Sequence, residues 1–195
     1  MNYLFSFSIS MIGLLFLVIN TCLFLKNRTI HKYVSKIFMA YLVSLTVIEI
    51  ACHVIGFLSP NMNLFISHFY FVFQFIFLSF LFYKLFKNEI IRKGIVIVLV
   101  LQIITLITMY SFNPQLFWGF NIYEIVSCSS ILVIYALLYI FQNFENEHQY
   151  FNFLVGLILY LICSISIFMS GNFEMVLWKD PFIDIWIFNS IFYIL

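Results

Sequence analysis

The chain has 195 residues, of which 65% are hydrophobic and only 9% charged, and its mean hydropathy is +1.10. Soluble domains average about 45–50% apolar and about 25% charged residues, so no soluble core could hide this much apolar surface and lipid must be the main solvent. The net charge is +1 with no basic block to neutralise a run of phosphates, which argues against nucleic acid as a partner.

Seven apolar segments follow one another, at approximately 3–25, 37–58, 65–86, 95–111, 121–142, 153–170 and 183–195. Most approach the roughly 20 residues that cross about 30 Å of hydrocarbon as a helix. Backbone polar groups at that depth must be satisfied within their own segment, and the runs are continuous rather than alternating, so helices are expected and a β-barrel is not. The first run has no basic n-region and is too long for the apolar core of a signal peptide, so it reads as a span. The expected fold is all-α: one polytopic transmembrane helical bundle over residues 1–195. The seventh run is only 13 residues and stops at Ile194-Leu195 without a polar flank, which reads as a truncated last helix.

Orientation follows from the basic residues. Lys26, Arg28, Lys32 and Lys36 lie in or beside the first loop, and Lys84, Lys87, Arg92 and Lys93 in or beside the third. Only Lys179 falls on the other side, so the positive-inside rule puts the odd loops in the cytoplasm and the N-terminus outside. Glu145 and Glu147 in the fifth loop do not oppose this, because acidic residues contribute little to the rule. Trp118, Tyr123, Trp178 and Trp186 gather at the expected outer boundary, as interfacial anchoring requires. The four cysteines stand singly in four different segments and read as buried free thiols. Phe-rich span three is apolar all round, and in span six Gly156, Tyr160, Cys163, Ser164, Ile167 and Gly171 form a small-residue face, read as a packing seam.

Polar groups concentrate in the outer halves of several spans. Glu49 lies about 14 Å and His53 about 8 Å below the outer end of span two, while His68 and Gln74 fall about 5 Å and 14 Å below the same surface on span three. Two rungs are expected, Glu49 with Gln74 and His53 with His68, although His68 and Gln74 are six apart and only one of them faces span two squarely. Glu124 on span five lies level with His68, and Asn172 and Asp184 join from the outer ends of spans six and seven. One reading is an outward cavity for a ligand or ion, lined by Glu49, His53, His68, Gln74, Glu124 and Asn172. Another is interhelical hydrogen bonding, which is common in membranes and averages about 0.6 kcal/mol per bond. A zinc site is a third, but Glu49-x-x-x-His53 is not a ligand motif.

No Gly-rich phosphate loop, GxSxG elbow or HExxH helix occurs, so phosphate binding and common hydrolase chemistry lack their parts, and no catalytic residue or cofactor is indicated. No arginine ladder and no inverted repeat with paired Gly/Pro breaks is evident. The expectation is an inner-membrane multi-pass protein serving as a receptor-like sensing module or accessory subunit. Its partners would be the lipid bilayer and a small ligand or other membrane subunits. A small transporter and a membrane-embedded enzyme are the alternatives.

The stretches Phe153-Leu154-Val155-Gly156-Leu157-Ile158-Leu159-Tyr160, Ser170-Gly171-Asn172-Phe173 and Ile185-Trp186-Ile187-Phe188-Asn189-Ser190-Ile191, with His68-Phe69-Tyr70 through Phe80-Leu81-Phe82-Tyr83, carry a resemblance. In them the chain resembles a group of six- or seven-span membrane proteins of Bacteroidetes-type bacteria for which no activity is known. The resemblance implies a completed last helix and, in mid-span three, a glutamate. Gln74 stands at that place, so the carboxylate that a shared proton or cation role would use is missing there.

Overall fold

The structure is a computed structural model that describes residues 2–26, 33–58, 64–119, 121–143 and 150–177, with side chains for Ser8, 11–26, 36–58, 64–119, 121–143 and 150–166. These residues form six α-helices and no strand: α1 (Asn2–Lys26), α2 (Tyr33–Leu58), α3 (Ile66–Leu85), α4 (Glu89–Phe112), α5 (Ile122–Gln142) and α6 (Phe151–Leu177). A 3-10 turn, Pro114–Trp118, connects α4 to α5. Four helices, α2 to α5, are long and apolar enough to cross a membrane, and α1 and α6 contribute the apolar stretches Met11–Lys26 and Phe151–Ser166. The expected seventh segment with Asp184, the side chain of Asn172 and the loop residues Glu145 and Glu147 lie outside the described residues.

Helix four begins six residues before the expected start at 95. Its first turns carry Glu89, Arg92, Lys93 and Gly94, which read as loop by charge alone, but Asn88 caps the helix with its Oδ1 accepting from the Ile90 N–H at 2.8 Å. A capped end satisfies a donor that would otherwise be stranded, so the helix extends past the apolar run. Helix six likewise continues past the expected end at 170, to Leu177.

The bundle is built around α3, which packs against α2, α4 and α5, while α1 lies on α2 and α6 on α5. Phe71, Phe75, Leu78, Leu81 and Phe82 are almost wholly buried. Phe69, Phe73 and Phe80, on the opposite stripe at helical spacing, are 41–48% exposed. The Phe-rich span therefore has two faces. Its outer face carries a ladder of rings, with Phe69 and Phe73 centroids 6.5 Å apart and Phe73 and Phe77 6.3 Å apart, which presents apolar surface to lipid. At the other end of α3, Phe82 packs edge-on to Tyr135 and Phe86 to Tyr139, fastening α3 to α5.

The expected small-residue face of α6 holds only in part. Leu154, Leu157, Leu161 and Ser164 turn inward, whereas Gly156 is exposed with nothing within 4 Å of where a Cβ would sit. Close backbone approach is one way to pack helices in lipid; here leucines share the seam with the expected face, of which Ser164 is buried and Tyr160 and Cys163 are half-buried, while Ile167 and Gly171 lie outside the residues with described side chains.

These two faces of α3 respond differently to truncation. We expect Phe75→Ala to destabilise the protein by about 3 kcal/mol, the low end of the soluble range, because lipid supplies no transfer term and the loss is the cavity. Phe73→Ala should change stability by less than about 0.5 kcal/mol. Chemical unfolding of both variants in detergent micelles checks this.

Candidate functional site

At the end of the bundle where α3 and α5 begin and α4 stops, four elements converge. His68 lies in the first turn of α3, which opens with the Ser67 N–H and hydroxyl both donating to the Leu64 carbonyl at 3.1 and 2.6 Å. Tyr110 lies in the last turn of α4, closed by the Asn113 N–H donating to Met109 O at 2.9 Å. Pro114, whose missing N–H is harmless in a first turn, starts the 3-10 turn that brings the Phe117 carbonyl back over the bundle. Asn121 caps α5, its Oδ1 accepting from the Glu124 N–H at 3.4 Å. Glu124 thus occupies the third helical position, where a capping-box glutamate usually reaches back to the cap. Its carboxylate turns into the bundle instead.

There Glu124 Oε2 lies 2.8 Å from His68 Nδ1 and accepts a hydrogen bond from the Tyr110 hydroxyl. The Tyr110 oxygen in turn accepts from Asn121 Nδ2 at 3.0 Å and lies 2.9 Å from His68 Nδ1. His68 Nε2 is 3.1 Å from the Phe117 carbonyl. Glu124 is 0% exposed, His68 5% and Asn121 6%. Glu124 Oε1 is buried with no hydrogen-bond partner.

The geometry fixes the proton inventory. A carbonyl only accepts, so His68 Nε2 must carry a hydrogen. Between His68 Nδ1 and Glu124 Oε2 one further proton is needed, because two bare lone pairs at 2.8 Å repel. With that proton on Nδ1 the pair is imidazolium and carboxylate; with it on Oε2 the pair is neutral. Either way the pair carries no net charge, the state that burial favours. The first turn of α5 adds a favourable dipole for the carboxylate form.

Aromatic rings close the site from the boundary. The Phe117 ring stacks on His68 at 5.2 Å and 24°, and Phe65 packs against both Phe117 and Trp118 at 6.0 and 5.9 Å. Trp118 is 69% exposed at this end of the bundle.

The other predicted residues are placed apart from this cluster. Gln74, buried, donates from Nε2 to the Tyr41 hydroxyl at 3.2 Å rather than to Glu49. The depth estimate counted both helices from one level; the Tyr41 contact places Gln74 about two turns nearer the N-terminal end of α2. Glu49 is buried, and half-buried His53 donates from Nδ1 to the Glu49 carbonyl at 2.8 Å. His68 faces α4 and α5 and Gln74 faces α2, as their six-residue spacing allows. Tyr110, Asn121 and the Phe117 carbonyl were not singled out from sequence. The signal available was Asn121-x-x-Glu124 ahead of an apolar run, which reads as an ordinary cap. Thr21 and Thr46, hydrogen bonded at 2.8 Å between α1 and α2, were also missed. Among the described residues no group of three or more His, Cys, Asp or Glu is placed to hold a metal ion, and the four cysteines are free.

No family model matches the chain, and no curated protein or solved structure is significantly similar to it.

Removing one member of a buried pair strands the other. We expect His68→Ala and Glu124→Ala each to destabilise by about 3–5 kcal/mol, and the double variant by no more than either alone, as a double-mutant cycle from unfolding in detergent would read. Tyr110→Phe should cost about 1–2 kcal/mol by the same measurement, one hydrogen bond to a charged or shared-proton acceptor.

Proposed function

We propose that the protein is a multi-pass bacterial inner-membrane protein of seven spans, N-terminus outside, that serves as a receptor-like sensing module or accessory subunit. Its responsive element is the His68–Glu124 pair beneath the Phe117 cap. One observation carries this reading: a fully buried carboxylate holds α3 and α4 through Oε2 while Oε1 has no partner. An unpaired buried carboxylate oxygen is a costly feature with a ready use, since a small hydrogen-bond donor bound there acts on three helices at once. Loading Oε1 weakens the hold of Oε2 on Tyr110 and His68, and so releases the Phe117 carbonyl and the turn that carries it. The displacement travels along α3 and α4 to the end where the basic residues Lys84, Lys87, Arg92 and Lys93 stand. The absence of catalytic motifs from the sequence agrees with a binding role rather than a chemical one.

The test is outside accessibility of Phe117→Cys in a background with the four native cysteines replaced. Labelling by a membrane-impermeant thiol reagent is expected from outside, and Glu124→Gln, which alters the hold of Oε2 on Tyr110 and His68, is expected to change its rate several-fold. A labelling rate that Glu124→Gln leaves unchanged overturns the pair as the responsive element. Absence of labelling from outside, with labelling from inside, overturns the orientation.

A further inference from the structure

A second site lies at the opposite end of the bundle, and it does not rest on the sensing role. Between α3 and α4 only Phe86, Lys87 and Asn88 intervene, so the last turn of one helix and the first turns of the other are held side by side. Tyr83 stands between two cations: Arg92 Cζ is 4.3 Å from its ring centroid and Lys84 Nζ 5.6 Å. That stacking orients the Arg92 guanidinium. Arg92 Nε is buried and has no hydrogen-bond partner.

Beside it opens a groove of about 450 Å³, lined by Tyr83, Glu89, Arg92, Lys93, Val96 and Ile97. The lining carries two cations and one carboxylate, and Lys84 adds a further positive charge beside Tyr83. The groove continues downward as an apolar stripe. Arg92, Lys93, Val96, Ile97, Val100 and Leu101 recur at the spacing of one α4 face, and Val96, Ile97, Val100 and Leu101 are 42%, 58%, 49% and 58% exposed. Over the roughly 8 Å that separate Arg92 from Ile97, the wall changes from cationic to hydrocarbon. That is the thickness over which a bilayer passes from phosphate to acyl chain.

We propose that this groove binds an anionic phospholipid, its phosphate accepting from the Arg92 guanidinium and the Lys93 ammonium and one acyl chain lying along Val96, Ile97, Val100 and Leu101. Two features select this ligand class together. A free anion would use the cations and leave the apolar stripe unexplained, and a zwitterionic lipid would bring its own cation to a groove already positive. Glu89 in the lining disfavours a second anion and so limits the site to one headgroup. Basic pockets at the cytoplasmic ends of spanning helices attract such lipids with about 1 kcal/mol per Lys or Arg.

The experiment uses the full chain purified in a mild detergent. Retained lipid is read by native mass spectrometry and melting temperature by scanning fluorimetry, after addition of phosphatidylglycerol, phosphatidylcholine of the same acyl chains, or inorganic phosphate. Phosphatidylglycerol is expected to be retained and to raise the melting temperature, and phosphatidylcholine to do neither to a comparable degree. Lys93→Glu, at an exposed position that does not endanger folding, is expected to lower phosphatidylglycerol retention by at least about fivefold. Lys87→Glu, the same charge change outside the groove lining, is expected to leave retention within about twofold of wild type. Equal effects of the two lipids, unchanged retention in Lys93→Glu, or equal losses in Lys93→Glu and Lys87→Glu would each overturn a specific site. A full melting shift with inorganic phosphate alone would mark an anion site and overturn the lipid.

Discussion

Hydrocarbon offers no hydrogen bonds, so a polar side chain buried in this bundle has to find its partner in another part of the protein. The His68–Glu124 pair meets that constraint at its most demanding, with two ionisable groups removed from water and a single proton between them. Everything around the pair follows from the need to keep it neutral and dry. Asn121 fixes the start of α5 so that Glu124 points inward, the 3-10 turn returns a carbonyl to His68 Nε2, and Phe117 lays its ring over the imidazole. The loop between α4 and α5 is therefore part of the core, although by sequence it is a connector.

The same constraint explains why α3 is central. Lipid is as apolar as leucine, so apolar surface alone gives helices little reason to choose one neighbour over another, and polar contacts and close packing decide. Within seven residues α3 supplies a polar contact to four other helices: His68 to α4 and α5, Tyr70 through its hydroxyl to Tyr160 on α6, and Gln74 to Tyr41 on α2. Below Gln74 the helix changes character, and Phe75, Leu78, Leu81 and Phe82 fill space without polar ties. One half of α3 sets which helices meet and in what register; the other half supplies the packing.

Much of the helical plan was legible because it depends on hydropathy over long windows. The first six apolar segments coincide with α1 to α6 to within a few residues at most ends, and the exceptions are informative. Helix four starts early because a single cap, Asn88, outweighs four residues that look like loop. On α6 the seam reading met Ser164 but not Gly156, because small residues permit close packing without requiring it, and Leu154, Leu157 and Leu161 fill the seam. The site was half legible. Counting rise per residue put His68 level with Glu124, since both positions are measured from one surface. It could not say which helix His68 faces, because that depends on the rotation of α3 about its axis, and the cue for rotation is a contact with Tyr110 that no local pattern announces. Gln74 was placed on the right face and matched to the wrong residue, an error along the axis rather than around it.

Helix four connects the two ends. Its buried residues are Ile95, Gln102 and Leu106, a thin line on a helix of 24 residues, and its firm attachments lie at the termini. At one end Tyr110 is bound into the His68–Glu124 pair, and at the other Arg92 is stacked on Tyr83. Between them Gln102 Nε2 donates to the Ser127 hydroxyl at 2.6 Å and to Cys128 Sγ at 3.6 Å, so the polar ties to α5 there rest on one side chain. A helix held this way transmits displacement well. Its backbone is stiff, most of its flank slides against lipid, and a change in the length or strength of the contact at one terminus has few side-chain contacts to absorb it before the other. Under the two proposals above, a donor bound at Glu124 Oε1 and an anionic headgroup bound at Arg92 would bias the same element from opposite ends, and by reciprocity each would alter the affinity for the other.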